Sequence, residues 1–216
     1  MSDLFEDYRL VGGVRFGFNL QNNNYLVAYE NLKRRLDKRI TFERQVQEGG
    51  FQNSRVKIKS HQLAYEVRYP LSEIDRFELR LFYRLDNQTV LATDAFTLEL
   101  PDIWVNTFGG KLAYVYDNTI SRGLNLYNGW RFKIWGEYYF EPNVQVDQSN
   151  YSPISDGSGI TVVGFDFRHY LKIHRDIILA MRFAGNKSFG NRNIIHFLGG
   201  VDNWLFGRRI DDSTPI

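Results

Sequence analysis

The side chains best suited to chemistry in this chain are few and scattered. Histidine occurs at His61, His169, His174 and His196, and no two of them stand at a metal-ligand spacing for a strand or a helix. No metal, no cofactor and no catalytic residue is expected. A serine hydrolase needs a serine, a histidine and a polar orienter converging on one surface. Ser60 beside His61 is the one sequence-local start of such a set. Cysteine is absent, which removes thiolate ligands, a cysteine nucleophile and a disulfide framework. Gly12-Gly13 and Gly109-Gly110 lie inside extended segments and imply bends or close packing rather than phosphate loops.

The richer chemical resource is charge placed in alternation. Residues Arg76 to Asp86 read Arg-Phe-Glu-Leu-Arg-Leu-Phe-Tyr-Arg-Leu-Asp. Side chains alternate across a strand, so Phe77, Leu79, Leu81, Tyr83 and Leu85 share one face. Arg76, Glu78, Arg80, Arg84 and Asp86 share the other, with Phe82 the exception. The same pattern, followed along the chain, gives the charged face Arg9, Arg15, Arg39, Arg68, Arg76, Arg80, Arg84, Lys111, Arg131, Lys133, Arg168 and Arg182. Glu43, Glu66, Glu78, Asp117, Glu137 and Asp166 are its acidic members. The basic excess would attract anions or the acidic segments of a passing chain. The same residues could instead form a satisfied network that fills an interior and fixes strand register.

These charges must be held by strands. The first is predicted from about Tyr8 to Leu20, and the second carries Tyr25, Val27 and Tyr29 on its apolar face. Asn31 to Asp37 reads as a connection, and Gly49-Gly50 marks a loop from about Gln47 to Ser54. In the strand from Arg55 to Tyr69, Val56 and Ile58 are in one phase and Leu63, Tyr65, Val67 and Tyr69 in the other. That change near His61 predicts a bulge. Pro70 ends the strand. Asn87 to Asn106 is irregular, with a short hairpin expected over Val90–Thr93 and Phe96–Leu100. Later strands centre on Phe108–Asp117, Trp130–Phe140, Val163–Lys172, Ile177–Ala184 and Asn193–Leu198, with a long loop over Glu141–Gly159. The tally is about nine or ten strands and no helix.

Short links near Pro70–Ile74 and Lys172–Asp176 alternate with long ones, as in outer-membrane barrels with short periplasmic turns and longer outer loops. Aromatics make up 16% of the 216 residues, and Tyr69, Tyr83, Trp130, Tyr138 and Phe140 gather toward strand ends, as in an interfacial girdle. Mean hydropathy is −0.39, but barrel walls hide apolar residues in alternation. No stretch approaches the ~20 apolar residues of a spanning helix. Net charge is +2 with no basic tail, so nucleic acid is not an expected partner. The fold class read here is all-β, an antiparallel transmembrane β-barrel wall with its apolar face toward lipid. A soluble barrel with the apolar face inward shares the alternation.

The ends add an expectation. Met1 to Asp7 has neither a basic n-region nor an apolar h-region, and Asp211 to Ile216 is a polar tail. Residues 1–216 are therefore expected to be the middle strands of a larger barrel, incomplete and open at both ends.

Two stretches carry a resemblance. Val115-Tyr116-Asp117-Asn118-Thr119, followed by Gly123 through Gly129 to Arg131, resembles the Asp-Thr…Gly-x-Arg turn of the BamA/TamA-type bacterial surface-antigen barrels. Phe197-Leu198-Gly199-Gly200 resembles the aromatic-x-Gly-Gly that opens their lumen loop. Gly199 to Trp204 is also similar to a stretch of the barrel fused after TolB-like β-propeller repeats. One departure stands out: Asp202-Asn203-Trp204 occupies the place where that superfamily carries an Arg-Gly-aromatic triplet. The resemblance implies an outer-membrane location, with the lipid bilayer, the remaining strands of a parent chain and polypeptide substrates as partners. It marks Asp117, Asn118, Gly129, Phe197, Gly199 and Gly200 as turn and lumen-loop residues. Asp117 and Gly129 also read simply as turn formers. The implied role is polypeptide insertion or translocation. A structural or small-solute transport barrel that anchors a periplasmic propeller, and a soluble β-barrel ligand binder, are the alternatives.

Overall fold

The computed structural model describes residues 7–16, 22–51, 54–92, 100–123, 126–142, 144–146, 159–174 and 177–190. All regular structure among them is β. The strands are β1 (Tyr8–Arg15), β2 (Asn24–Asn31), β3 (Asp37–Phe51), β4 (Ser54–Pro70), β5 (Asp75–Leu91), β6 (Ile103–Asp117), β7 (Ile120–Gly123), β8 (Leu126–Phe140), β9 (Val144–Val146), β10 (Gly159–His174) and β11 (Ile177–Gly190). Nine of them form a meander in the order β1-β2-β3-β4-β5-β6-β8-β10-β11. The two short strands lie off this path, β7 on β8 and β9 on β6. Every pairing is antiparallel, and the sheet is an open wall rather than a closed barrel.

The alternation seen in the sequence becomes two contrasting faces. Leu10, Val27, Ile40, Leu63, Leu81, Leu112, Ile134, Val163 and Leu179 share one face, and all are exposed. On β5 this exposed apolar face runs from Phe77 to Tyr83, about 20 Å at ~3.4 Å per residue. Neighbouring strands supply its aromatic pairs. Ring centroids are 4.9 Å apart for Tyr83 and Phe108, 5.3 Å for Phe77 and Tyr114, and 5.2 Å for Phe165 and Phe183. The opposite face holds the charges, with small buried residues (Ala28, Ala64, Ala113, Thr107) between them. Among the described residues no second layer covers either face.

Four expectations are corrected. Gly49 and Gly50 are not in a loop: β3 runs through both, paired with Val56 and Arg55. No bulge occurs at His61, because β4 pairs with β5 in unbroken register from Arg55 to Pro70. The irregular segment expected from Asn87 begins later, since β5 continues to Leu91. The long loop expected over Glu141–Gly159 holds a short strand, β9, paired with β6. In each case backbone pairing with a neighbouring strand overrides weak local propensity. The end of the first strand beyond Phe16, the Phe96–Leu100 arm of the expected hairpin, and the Asn193–Leu198 strand lie outside the described residues.

Links at one end of the wall are short and tied together. Residues 71–74 close between β4 and β5 with Leu71 N donating to Asp75 O at 3.0 Å. The Ser72 hydroxyl bonds the Asp75 carboxylate, and Ile74 N donates to Ser72 Oγ at 3.3 Å. Arg35, in the β2–β3 link, donates to Pro70 O and Leu71 O at 3.1 Å each. The longer connections, between β5 and β6 and between β8 and β10, leave from the other end.

Candidate functional site: a paired charged face

Directly opposed residues in an antiparallel pair share a face. One such row crosses β1 to β6 and β8 as Arg9, Glu30, Arg39, Glu66, Arg80, Lys111 and Glu137. Signs nearly alternate along it, and the ions pair accordingly. Glu30 takes Arg9 at 3.6 Å and Arg39 at 3.4 Å; Glu66 takes Arg80 at 3.4 Å, and Lys111 donates to Glu137 at 3.2 Å. Side-chain ion pairs join β1 to β3, β4 to β5 and β6 to β8, and backbone pairing carries the row across all seven strands.

The neighbouring rows continue the network. Glu78 accepts from Arg76 at 2.8 Å and from Lys133, two strands away, at 2.7 Å. Arg68 reaches Glu66 at 3.5 Å. Arg84 donates to the buried Asp86 at 2.7 Å. Toward the short-link end Arg131, Arg168 and Arg182 stand directly opposite one another on β8, β10 and β11. Asp166 lies between the last two and accepts from each at 2.8 Å, while Asp117 holds Arg131 at 3.1 Å. Glu43 shares a row with Gln62 and Arg84, and Arg15 ends β1 opposite Asn24.

Every charged residue expected on this face is therefore on it by register, and most are joined. Glu30 is the member that sequence reasoning missed, although it is the most buried acid of the long row. The signal was its parity: it alternates with Tyr29 and Val27, so it had to face the charges. Phe82, the one apolar intruder in the alternation, packs edge-on to Tyr139 at 5.6 Å.

The expected turn motif is also brought together. Asn118 N donates to Trp130 O at 3.1 Å, and Trp130 N donates to Asn118 Oδ1 at 2.6 Å. Asp117 Oδ1 accepts from Thr119 N at 3.1 Å and from its hydroxyl at 2.6 Å. Gly129 has a φ of +124°, and a Cβ there would lie 2.8 Å from Asn118 O. These are local backbone closures, the work of a turn. Phe197, Gly199 and Gly200 lie outside the described residues.

The histidines do not gather. Ser60 and His61 point to opposite faces, because they are adjacent on one strand. His169 stacks on Trp130 at 4.1 Å, and His174 ends β10. His196 lies outside the described residues. Comparison with protein-family models, with curated proteins and with solved structures finds no match for this chain.

Proposed function

We propose that this chain is part of the wall of an outer-membrane β-barrel of the BamA/TamA surface-antigen type, working in polypeptide insertion or translocation. One observation carries the membrane part of the reading. Large apolar side chains stay exposed from Phe77 to Tyr83, about 20 Å of β5, on the scale of the ~25 Å apolar band of such barrels. The ions of the other face meanwhile converge on one another, as a polar lumen requires. The Asp117-Asn118…Gly129 closure supports the surface-antigen assignment, since it joins the residues that the resemblance singled out.

A second reading has its own support. The charges of the long ladder are committed to each other, which suits a filled structural wall, such as one anchoring a periplasmic propeller, better than a conducting path.

The test is thiol labelling of Leu79→Cys and Arg80→Cys, each made in the full-length protein and probed in native membranes. The Leu79→Cys thiol is expected to react only with a lipid-soluble maleimide, and the Arg80→Cys thiol with a small aqueous one. A soluble protein whose Leu79→Cys thiol resists every reagent would make the apolar face a core, and the membrane reading would fall. Polypeptide insertion is tested by depleting the protein and following the assembly of other outer-membrane barrels. Unchanged assembly would favour the structural wall.

A further inference from the structure

The apolar face ends abruptly toward the long-link end of the wall. The row Phe42, Leu63, Tyr83, Phe108 is followed by Arg44, His61, Leu85, Asn106, and then by Val46, Lys59, Asn87, Trp104. Arg44 and His61 thus stand directly opposite each other, with Lys59 one step beyond on β4. Tyr83 marks the border, its hydroxyl donating to Asn106 Oδ1 at 2.7 Å. The Arg44 guanidinium sits 5.7 Å from the centre of the Tyr25 ring. Its Nε is buried without a hydrogen-bond partner among the described residues. The carboxylate next along this face, Glu48, is occupied by Asn22 at 2.9 Å, Lys57 at 3.3 Å and Arg55 at 3.5 Å. Below the cations, Leu63, Leu81, Tyr83, Phe108 and the bare backbone of Gly109 and Gly110 frame an open apolar groove of about 640 Å³.

A guanidinium nitrogen out of water without an acceptor is costly. Arg39 and Arg80 share this feature on the opposite face, where carboxylates stand beside them. Arg44 has none beside it and would gain from an acceptor that arrives from outside. An anionic acceptor fits, because Arg44, His61 and Lys59 are register neighbours on this face with no carboxylate between them. An apolar portion fits as well, because the groove opens on the same face, beginning at Leu63 on β4, the next residue of that face after Lys59 and His61. Phosphate suits the planar edge of a guanidinium, which can donate to two of its oxygens. Long basic side chains at the rim of an apolar band extend naturally to headgroup level.

We infer that this rim binds a phosphate-bearing lipid. Arg44 and Lys59 donate to the phosphate, His61 supplies a third donor, and an acyl chain lies along the groove between Leu63 and Gly110. The inference rests on the apolar face meeting lipid.

Mass spectrometry of the intact full-length protein in detergent, after addition of dioleoyl phosphatidic acid or dioleoyl phosphatidylcholine, reads the site directly. The unaltered protein is expected to retain phosphatidic acid in preference. Arg44→Gln and Lys59→Gln are each expected to lower its occupancy roughly fivefold, the scale of one basic residue at an anionic lipid surface. The Lys59 side chain makes no hydrogen bond or ion pair among the described residues, so its variant reports on binding rather than folding. Lys38→Gln, on the same face of β3 farther from the rim, is expected to change nothing. Equal retention of the two lipids, or an unaltered preference in the R44Q/K59Q double variant, would overturn the site. Lipid-only labelling of Leu79→Cys together with either result sinks this inference alone; a Leu79→Cys thiol shielded from every reagent sinks the membrane reading with it.

Discussion

The ring of Phe82 lies across the backbone of Gly109, its directly opposed neighbour on the charged face. A Cβ at Gly109 would overlap the ring, and the ring's other side meets Tyr139. Gly109→Ala is therefore expected to destabilise the full-length barrel by about 1–3 kcal/mol, as overpacking does. Gly136→Ala is the control, since a Cβ there meets nothing within 4 Å. Urea midpoints of the two variants, measured on the refolded protein in detergent, check the contrast. Equal midpoints would show that Phe82 yields freely.

Gly129 and Asn118 form one closure between β6 and β8. Alanine at Gly129 must adopt a φ of +124° and approach Asn118 O, at a cost of roughly 1–3 kcal/mol. Asn118→Ala removes the acceptor of Trp130 N, worth about 1 kcal/mol. The double variant is expected to lose less than the sum, because the first change already opens the closure. Strict additivity in a thermodynamic cycle would mean that the two residues act apart.

Much of this wall was legible because strand periodicity is two and needs no partner to be seen. The β5 sequence assigns each of its side chains to a face, and register only adds which charges meet. The misreading at His61 is instructive. Val56 and Ile58 change phase relative to Leu63 without any slip in register. What changes is the environment: beyond the band the outer face turns basic at Lys57 and Lys59, and apolar side chains move to the inner face, as Val56 and Val90 do. A polarity inversion and a bulge look alike in one strand and differ only in pairing. Gly49-Gly50 was hidden for the same reason, since its extended backbone is held by β4. The strands β7 and β9 are too short to carry a periodic signal, and they exist through pairing alone.

Glu30 bridges Arg9 and Arg39, and its side chain is only 11% exposed. Removing its charge leaves two cations facing each other without their shared partner. Glu30→Gln is expected to cost about 1–3 kcal/mol. Arg9→Gln, at a residue 45% exposed, is expected to cost less than about 1 kcal/mol. Equilibrium unfolding of the two variants compares them. A larger loss for Arg9→Gln would place the weight of the ladder on its cations.

Glu48 supplies a pH-dependent tether outside the apolar band. The hydrogen bond from Asn22, and then those from Lys57, hold its carboxyl below the ordinary value of 4.5. A group whose pKa is lowered by folding stabilises the fold above its unfolded value and ceases to do so as pH falls through its folded one. The Asn22 contact should therefore be intact at pH 7 and be lost as pH falls through the folded value, below the ordinary glutamate range. Amide exchange of the β1–β2 link is expected to rise over that interval in the unaltered protein. In Glu48→Gln the rise should be absent. A rise of equal size in the variant would assign the effect to another carboxylate.

Asp166 is the shared acceptor of Arg168 and Arg182, and those two arginines stand opposite Arg131 in one row. Like charges directly opposed across strands destabilise a sheet unless a counter-charge intervenes. Asp166→Asn keeps the shape and removes the charge, so the arginine row is left to repel itself. The expected loss is about 1–3 kcal/mol at low salt. Arg182 is 55% exposed, so the repulsion is screened as salt rises toward 1 M, where the Debye length is ~3 Å. Salt should thus restore much of the stability of Asp166→Asn and do little for the parent. Arg182→Gln placed on top of Asp166→Asn should restore it without salt. If neither salt nor the second substitution recovers stability, the loss comes from the missing hydrogen bonds of Asp166, and repulsion within the row is not what its charge relieves.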